Sequence, residues 1–145
     1  MQKVLFICTA NYYRSRFAEA VFNHLAARRG VDWRAFSRGI MPEEAPPGLS
    51  PHAANGLRLV GVAQEFYPEE KTPLAAEDFG AADRVIALKK DEHDPMLRER
   101  FPDYLDRVEF WDVSDIPHIS PPEAMLQIKE GIEKLLEELT TSAAP

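Results

Sequence analysis

Cysteine is almost absent from this chain: Cys8 is the one thiol in 145 residues. No intrachain disulfide can form, and no multi-cysteine zinc site can be assembled. Long hydrophobic runs are missing as well. No stretch approaches the ~18 apolar residues of a membrane-spanning helix. The apolar Val4-Leu5-Phe6-Ile7 near the start is too short for the core of a signal peptide and has no cleavage site after it. The expected location is therefore the cytoplasm, where a free thiol stays reduced. Basic residues are outnumbered, with 17 Lys plus Arg against 24 Asp plus Glu and a net charge of -7. This balance argues against nucleic acid and anionic membrane as partners, because both are bound through a basic surface. Positive potential for any smaller anion must be local. His24, His52, His93 and His118 are scattered and read as surface or helix residues. No pair of them has metal-ligand spacing with a supporting carboxylate or thiol, so neither a metal nor a cofactor is expected.

What is present suffices for one core. The length is that of one ordinary domain, expected over residues 1–145, and 45% of the residues are apolar. Val4–Ile7 reads as a strand buried on both faces. A loop, Cys8 to Ser15, leads into a helix in which Phe17, Val21 and Leu25 recur at four-residue steps until Gly30. Trp33–Ser37, Arg84–Leu88 and Val108–Trp111 are further expected strands. Ser50-Pro51 opens a short helix ended by Gly61, and Asp91–Arg100 forms a polar helix. Ser120-Pro121-Pro122-Glu123 starts a last helix with Met125, Ile128, Ile132, Leu135 and Leu139 on one stripe. Residues 62–76 carry no readable pattern. Strands alternating with helices imply a parallel sheet covered on both faces, and ligands of such sheets bind at the carboxyl ends of the strands.

The loop after the first strand is accordingly the first place to look for a site. Arg14 lies six positions after Cys8 and is followed by the hydroxyl of Ser15, a coincidence of about one in two hundred on this composition. At a strand-to-helix turn, backbone N–H groups converge and the helix dipole favours an anion. The same features, with a nearby guanidinium, stabilise a thiolate. A phosphate monoester held there by amides and a bidentate Arg14 would present phosphorus to the Cys8 sulfur for in-line attack without a metal. Ser15 can donate a hydrogen bond to that sulfur and ease its departure. The competing reading makes Cys8 an inert buried strand-end residue and Arg14 a surface one.

From Val4 through Cys8-Thr9-Ala10-Asn11-Tyr12-Tyr13-Arg14-Ser15 to Phe22, the sequence resembles the opening of the low-molecular-weight protein tyrosine phosphatases, whose loop reads Cys-x-Gly-Asn-x-Cys-Arg-Ser. The resemblance implies an α/β doubly wound three-layer sandwich with a four-stranded parallel sheet and the phosphate-binding loop after strand 1. It implies Cys8 as nucleophile, Arg14 as phosphate clamp, and Thr9, Ala10, Asn11, Tyr12, Tyr13 and Ser15 as substrate-binding residues. Asn11 would shape the loop from a left-handed backbone position, and Ser37 of Ser37-Arg38-Gly39 would join its hydrogen bonds. The family's acid comes from a late Asp-Pro element; Asp115 of Asp115-Ile116-Pro117 matches it, with Asp112 as the fallback. Weaker matches at Glu77-Asp78-Phe79, Asp83–Leu88 and the last helix extend the likeness over most of the chain.

Several residues depart from the family pattern. Tyr13 replaces the second loop cysteine, so the disulfide that protects the nucleophile cannot form. Ala10 replaces Gly and requires a negative φ. Arg16 stands where Pro commonly opens the helix and is expected to add positive charge at the mouth. Tyr12 either borders the leaving group or, with Tyr13, packs away from it. The family's loop His has no counterpart, Glu69 lying near its place.

The first reading is a phosphatase of phosphomonoesters, with protein phosphotyrosine foremost. Arsenate reduction with an external thiol and a non-catalytic phosphate-binding module are the alternatives. A phosphorylated protein or a small phosphoester is the expected partner.

Overall fold

The computed structural model describes residues 1–68, 70–115 and 118–143. Four strands, β1 (Gln2–Cys8), β2 (Trp33–Gly39), β3 (Arg84–Ala87) and β4 (Val108–Phe110), pair in parallel in the order β2-β1-β3-β4. Alternate side chains of β1 enter opposite layers. Val4 and Phe6 pack with helices α1 (Arg14–Arg29) and α5 (Pro121–Ala143), while Leu5 and Ile7 pack with α3 (Ala76–Ala81) and α4 (Lys90–Arg100). Burial on both faces explains why β1 reads as an unbroken apolar run. The expected stripe of α5 is buried from Met125 to Leu139. At roughly 1.5–3 kcal/mol for each large aliphatic side chain, this stripe is a major source of the cohesion of that layer.

Local signals set the helix ends. Gly30, at φ 66°, closes α1 in the left-handed conformation. The Ser50 hydroxyl accepts from His52 N–H at the start of α2 (Pro51–Leu59). At α5, Ser120 Oγ accepts from Glu123 N–H (3.4 Å) and donates to the Glu123 carboxylate (3.0 Å). Residues 62–76 contain a 3₁₀ turn, Gln64–Phe66, and the start of α3. Their partners are distant in sequence: Ala63 N–H donates to His24 Nδ1, Thr72 N–H to Asn11 Oδ1, and Pro73 forms an isolated bridge with Gly39. Such partners leave no local periodicity to read.

The chain leaves β1 at its carboxyl end with a neighbour on each side, β2 reached by one connection and β3 by another. This is the point at which the winding direction reverses, where an open parallel sheet leaves a crevice. Residues 8–15 fill it.

Candidate active site

Asn11 organises the loop between β1 and α1. Its φ of 52° makes it the one described non-glycine residue in the left-handed region, and Ala10 has the negative φ it needs. The Asn11 side-chain amide has all its polar positions filled. Oδ1 accepts from Thr72 N–H (2.8 Å), and Nδ2 donates to Ser37 Oγ (3.0 Å) and Ser15 Oγ (2.8 Å). These partners over-determine a conformation that would otherwise relax. They also fix the direction of the chain that ends on sulfur. Ser37 donates to the Glu19 carboxylate (2.6 Å), so both Nδ2 protons of Asn11 go to serine oxygens, and the Ser15 hydroxyl is free to donate to Cys8 Sγ, 2.9 Å away. Burial raises the Glu19 pKa, and the hydrogen bond from Ser37 opposes the rise.

The loop turns its carbonyls outward. Cys8 O accepts from Ile40 N–H (3.0 Å), Thr9 O from Met41 N–H (2.6 Å) and Tyr12 O from Ser50 N–H (3.1 Å). Because a trans peptide points its C=O and N–H in opposite directions, the N–H groups of Thr9, Ala10 and Tyr13 face the other way, into the crevice. Gly39 makes this packing possible: a Cβ there would lie 2.8 Å from Ala10 C and from Asn11 N.

Arg14, 2% exposed, aims its guanidinium into the same space. Nη1 donates to Val113 O (3.0 Å) and Nη2 to Glu92 Oε2 (2.6 Å), which fixes the plane of the fork. Glu92 also accepts from Thr9 Oγ1 and from His93 Nε2. Burial raises the Glu92 pKa, but the hydrogen bonds from His93, Arg14 and Thr9 and the charge of Arg14 outweigh it, holding the carboxyl well below the usual carboxylate range. His93 Nδ1 accepts from Lys89 N–H (3.0 Å), which places the ring proton on Nε2. Burial lowers the His93 pKa, so the neutral ring is the donor.

A cavity of about 450 Å³ joins these groups, lined by Cys8, Tyr12, Arg14, Glu44, Glu92 and Asp115 among others. Asp115 lies 3.5 Å from Arg14 Nη2 and is 47% exposed. Asp112, 84% exposed, instead pairs with Lys89 Nζ outside this cavity. Tyr12 and Tyr13 are both among the lining residues, but Tyr13 is buried in the core between α1 and α5, so the packing-away alternative describes Tyr13 and not Tyr12. The Tyr13 hydroxyl reaches Pro121 O (3.3 Å) at the start of α5. Its pKa is pushed up to about 12 by burial, with the Asp115 charge adding and Arg14 opposing.

One expectation is reversed: Arg16 adds no charge at the mouth. It is fully buried beneath the loop, where the carbonyls of Asn11, Gly48 and Pro68 receive its guanidinium. In line with the surface-or-helix expectation, His93 is on α4 and His118 is exposed; beyond it, His93 is buried beside Arg14 and His118 lines the cavity. Glu92 was missed altogether. Its position just past the carboxyl end of β3 was the available signal, since that end shares the rim with the end of β1. Glu69, Ile116 and Pro117 lie outside the described residues.

A cysteine, an arginine and inward-facing amides at the switch point of a doubly wound sheet form an arrangement able to accept a tetrahedral oxyanion beside the sulfur. The low molecular weight phosphotyrosine protein phosphatase family model matches residues 3–144, and the chain belongs to that family. It is 30% identical to a protein-arginine-phosphatase of Bacillus subtilis over 94% of this chain and 93% of that one. The crystal structure of a low molecular weight protein tyrosine phosphatase from T. tengcongensis superposes with a TM-score of 0.80 at 28% identity, covering 95% of this chain and 99% of that one. A YwlE arginine phosphatase variant with a phosphorylated active-site serine gives 0.81 at 26% identity, covering 98% of each chain. The protein is thus a phosphatase of this family. Among the described residues no helix is long and apolar enough to cross a membrane.

Proposed function

We propose that the protein dephosphorylates phosphorylated proteins, phosphotyrosine foremost, through a phosphocysteine on Cys8. The observation that carries this reading is the placement of Cys8 Sγ under a donating Ser15 hydroxyl, in one cavity with the guanidinium of Arg14 and the carboxyl of Asp115. The amides and Arg14 hold the three non-bridging oxygens and offset their charge as it builds. The Cys8 thiolate attacks phosphorus, the bond to the ester oxygen breaks, and Asp115 gives that oxygen its proton. Water then attacks the phosphocysteine, Asp115 takes a proton from it, and the thiolate leaves with the Ser15 hydrogen bond compensating its charge. Inorganic phosphate is released and Asp115 is protonated again. The phosphorylated serine carried by the related arginine phosphatase variant supports a covalent route at the corresponding place.

Phosphoarginine is a second reading favoured by a specific feature of the walls. Glu44, Glu92 and Asp115 give the cavity three carboxylates, which suit a guanidinium leaving group, whereas Tyr12 suits a phenol ring. The 30% identical relative is a protein-arginine-phosphatase. The deciding experiment assays phosphotyrosine, phosphoarginine, phosphoserine and a small phosphate ester side by side with wild type and Cys8→Ser. Turnover by wild type and none by Cys8→Ser, which still binds phosphate, is expected. Retained turnover in Cys8→Ser overturns the covalent mechanism.

A further inference from the structure

Arg16 is a buried cation that the chemistry at the cavity does not use. Among the described residues its guanidinium donates hydrogen bonds only to carbonyl oxygens, with the Glu19 carboxylate as an opposite charge nearby: Nη1 donates to Gly48 O (2.8 Å) and Asn11 O (3.4 Å), and Nη2 donates to Pro68 O (2.7 Å). Taking a guanidinium out of water is costly, and its Nε has no hydrogen-bond partner among the described residues. A proline, which the family commonly carries here, would open the helix without that cost. Stability alone therefore does not explain the side chain.

Its three contacts belong to three different backbone segments. Asn11 is in the phosphate loop. Gly48 ends the stretch 42–48, whose Glu44, Ala45 and Pro46 form the outer wall of the cavity. Pro68 precedes the segment that carries Lys71, and Lys71 Nζ in turn donates to the carbonyls of Pro42 (2.7 Å) and Ala45 in that wall. The wall has one short 3₁₀ turn, Pro42–Glu44, closed by Ala45 N–H onto Pro42 O, and no strand pairing, so side-chain donors add to the few bonds that hold it. Arg16 and Lys71 supply them, and of these two side chains only Arg16 also reaches the loop, adding to the backbone ties Met41 N–H to Thr9 O and Ser50 N–H to Tyr12 O at the two ends of the wall. The loop has further ties that do not involve Arg16. Asn11 is held separately by Ser15, Ser37 and Thr72, and Thr72 O is tied to Gly39 N–H at the exit of β2 (2.9 Å).

We infer that Arg16 is a positioning residue for the organic half of the substrate: it fixes the outer wall relative to the phosphate loop and leaves the oxyanion cradle as it is. The inference rests on the phosphatase reading above, and one arm of its test needs no turnover. Binding of benzylphosphonate, whose ring would extend beyond the loop toward the wall, is compared with binding of inorganic phosphate, which is small enough to need the loop alone, in wild type, Arg16→Lys and Arg16→Pro. Proline suits this position because no intrahelical acceptor exists for an N–H in the first turn.

Arg16→Pro should weaken benzylphosphonate about tenfold while phosphate changes less than about twofold, with Arg16→Lys between wild type and proline. In turnover of an aryl phosphate, KM should rise by the same factor with kcat within about twofold. A parallel loss for both anions, a fall in kcat at constant KM, or no change at all overturns the inference. If Arg16→Pro does not fold, the same split in Arg16→Lys decides it. A wild type that binds both anions but turns over no phosphoester overturns the catalytic reading instead and leaves the binding comparison intact.

Discussion

Glu92 Oε2 stands 2.6 Å from Arg14 Nη2, so the side chain proposed to clamp the oxyanion is itself held by a carboxylate of α4, on the other face of the sheet from α1. With Val113 O on the other terminal nitrogen, the fork is oriented before any ligand arrives. Such preorganisation strengthens binding of a developing charge, because little reorganisation remains to be done at the moment of reaction.

Glu92→Gln should lower kcat/KM about tenfold, an effect of the size expected when a positioned group loses its charge-assisted hydrogen bond. It should also change the acid limb of stability. In the folded protein Glu92 stays ionised below its ordinary value of 4.5, so the unfolded chain binds more protons there. Stability therefore falls as the pH drops through that region. The Tm deficit of Glu92→Gln relative to wild type should shrink between about pH 6 and pH 3. A constant deficit in thermal melts would show that the pair carries no linked protonation.

Ser15→Ala removes the last donor in the chain from Glu19 through Ser37 and Asn11 to Cys8. The sulfur is then a poorer leaving group, and breakdown of the phosphocysteine should slow about 10–100-fold. Stopped-flow assays of an aryl phosphate should show a burst of phenol followed by a slow steady state. A uniform slowing without a burst would place the role of Ser15 in attack instead.

Asp115→Asn should slow alkyl phosphates, with poor leaving groups, by about 10²–10⁴-fold, and activated aryl phosphates much less. Asp112→Asn, whose partner is Lys89 away from the cavity, should change neither. The opposite pattern would identify Asp112 as the acid.

Gly39→Ala puts a Cβ 2.8 Å from backbone atoms of Ala10 and Asn11. Backbone cannot yield as a flexible side chain does, so a loss of about 1–3 kcal/mol is expected, with phosphate affinity falling as the loop shifts. Unfolding by urea together with phosphate titration measures both. Unchanged values would mean the loop is looser than its hydrogen bonds indicate.

Peroxide should inactivate the enzyme, because Tyr13 occupies the place of the second loop cysteine and no other thiol is present. The sulfenic acid of Cys8 then needs an external thiol, or a backbone sulfenamide followed by reduction, to recover. Full recovery of aryl phosphatase activity after mild oxidation with no reductant would contradict this.

Much of the architecture was legible because its determinants are local. Residues 4–7 read as a doubly buried strand, Gly30 as a helix end, Ser50 as a cap and Met125–Leu139 as a stripe, and each depends on neighbours within a few residues. The order Cys8, Arg14, Ser15 at a strand-to-helix turn points to the candidate site for the same reason. Glu92, His93, Lys71 and Arg16 were not legible in the same way, since their partners lie in other parts of the sequence. Nothing local distinguishes a carboxylate facing solvent in a polar helix from one that holds Arg14, 78 residues away. Arg16, two residues after Arg14, reads as added positive charge at the mouth until carbonyls from residues 48 and 68 are found around it. The sequence by itself determined the elements, the doubly wound class and the loop. Only the tertiary structure decided which charges face the cavity and which are sealed behind the loop, because that choice depends on what packs against each helix once the sheet has formed.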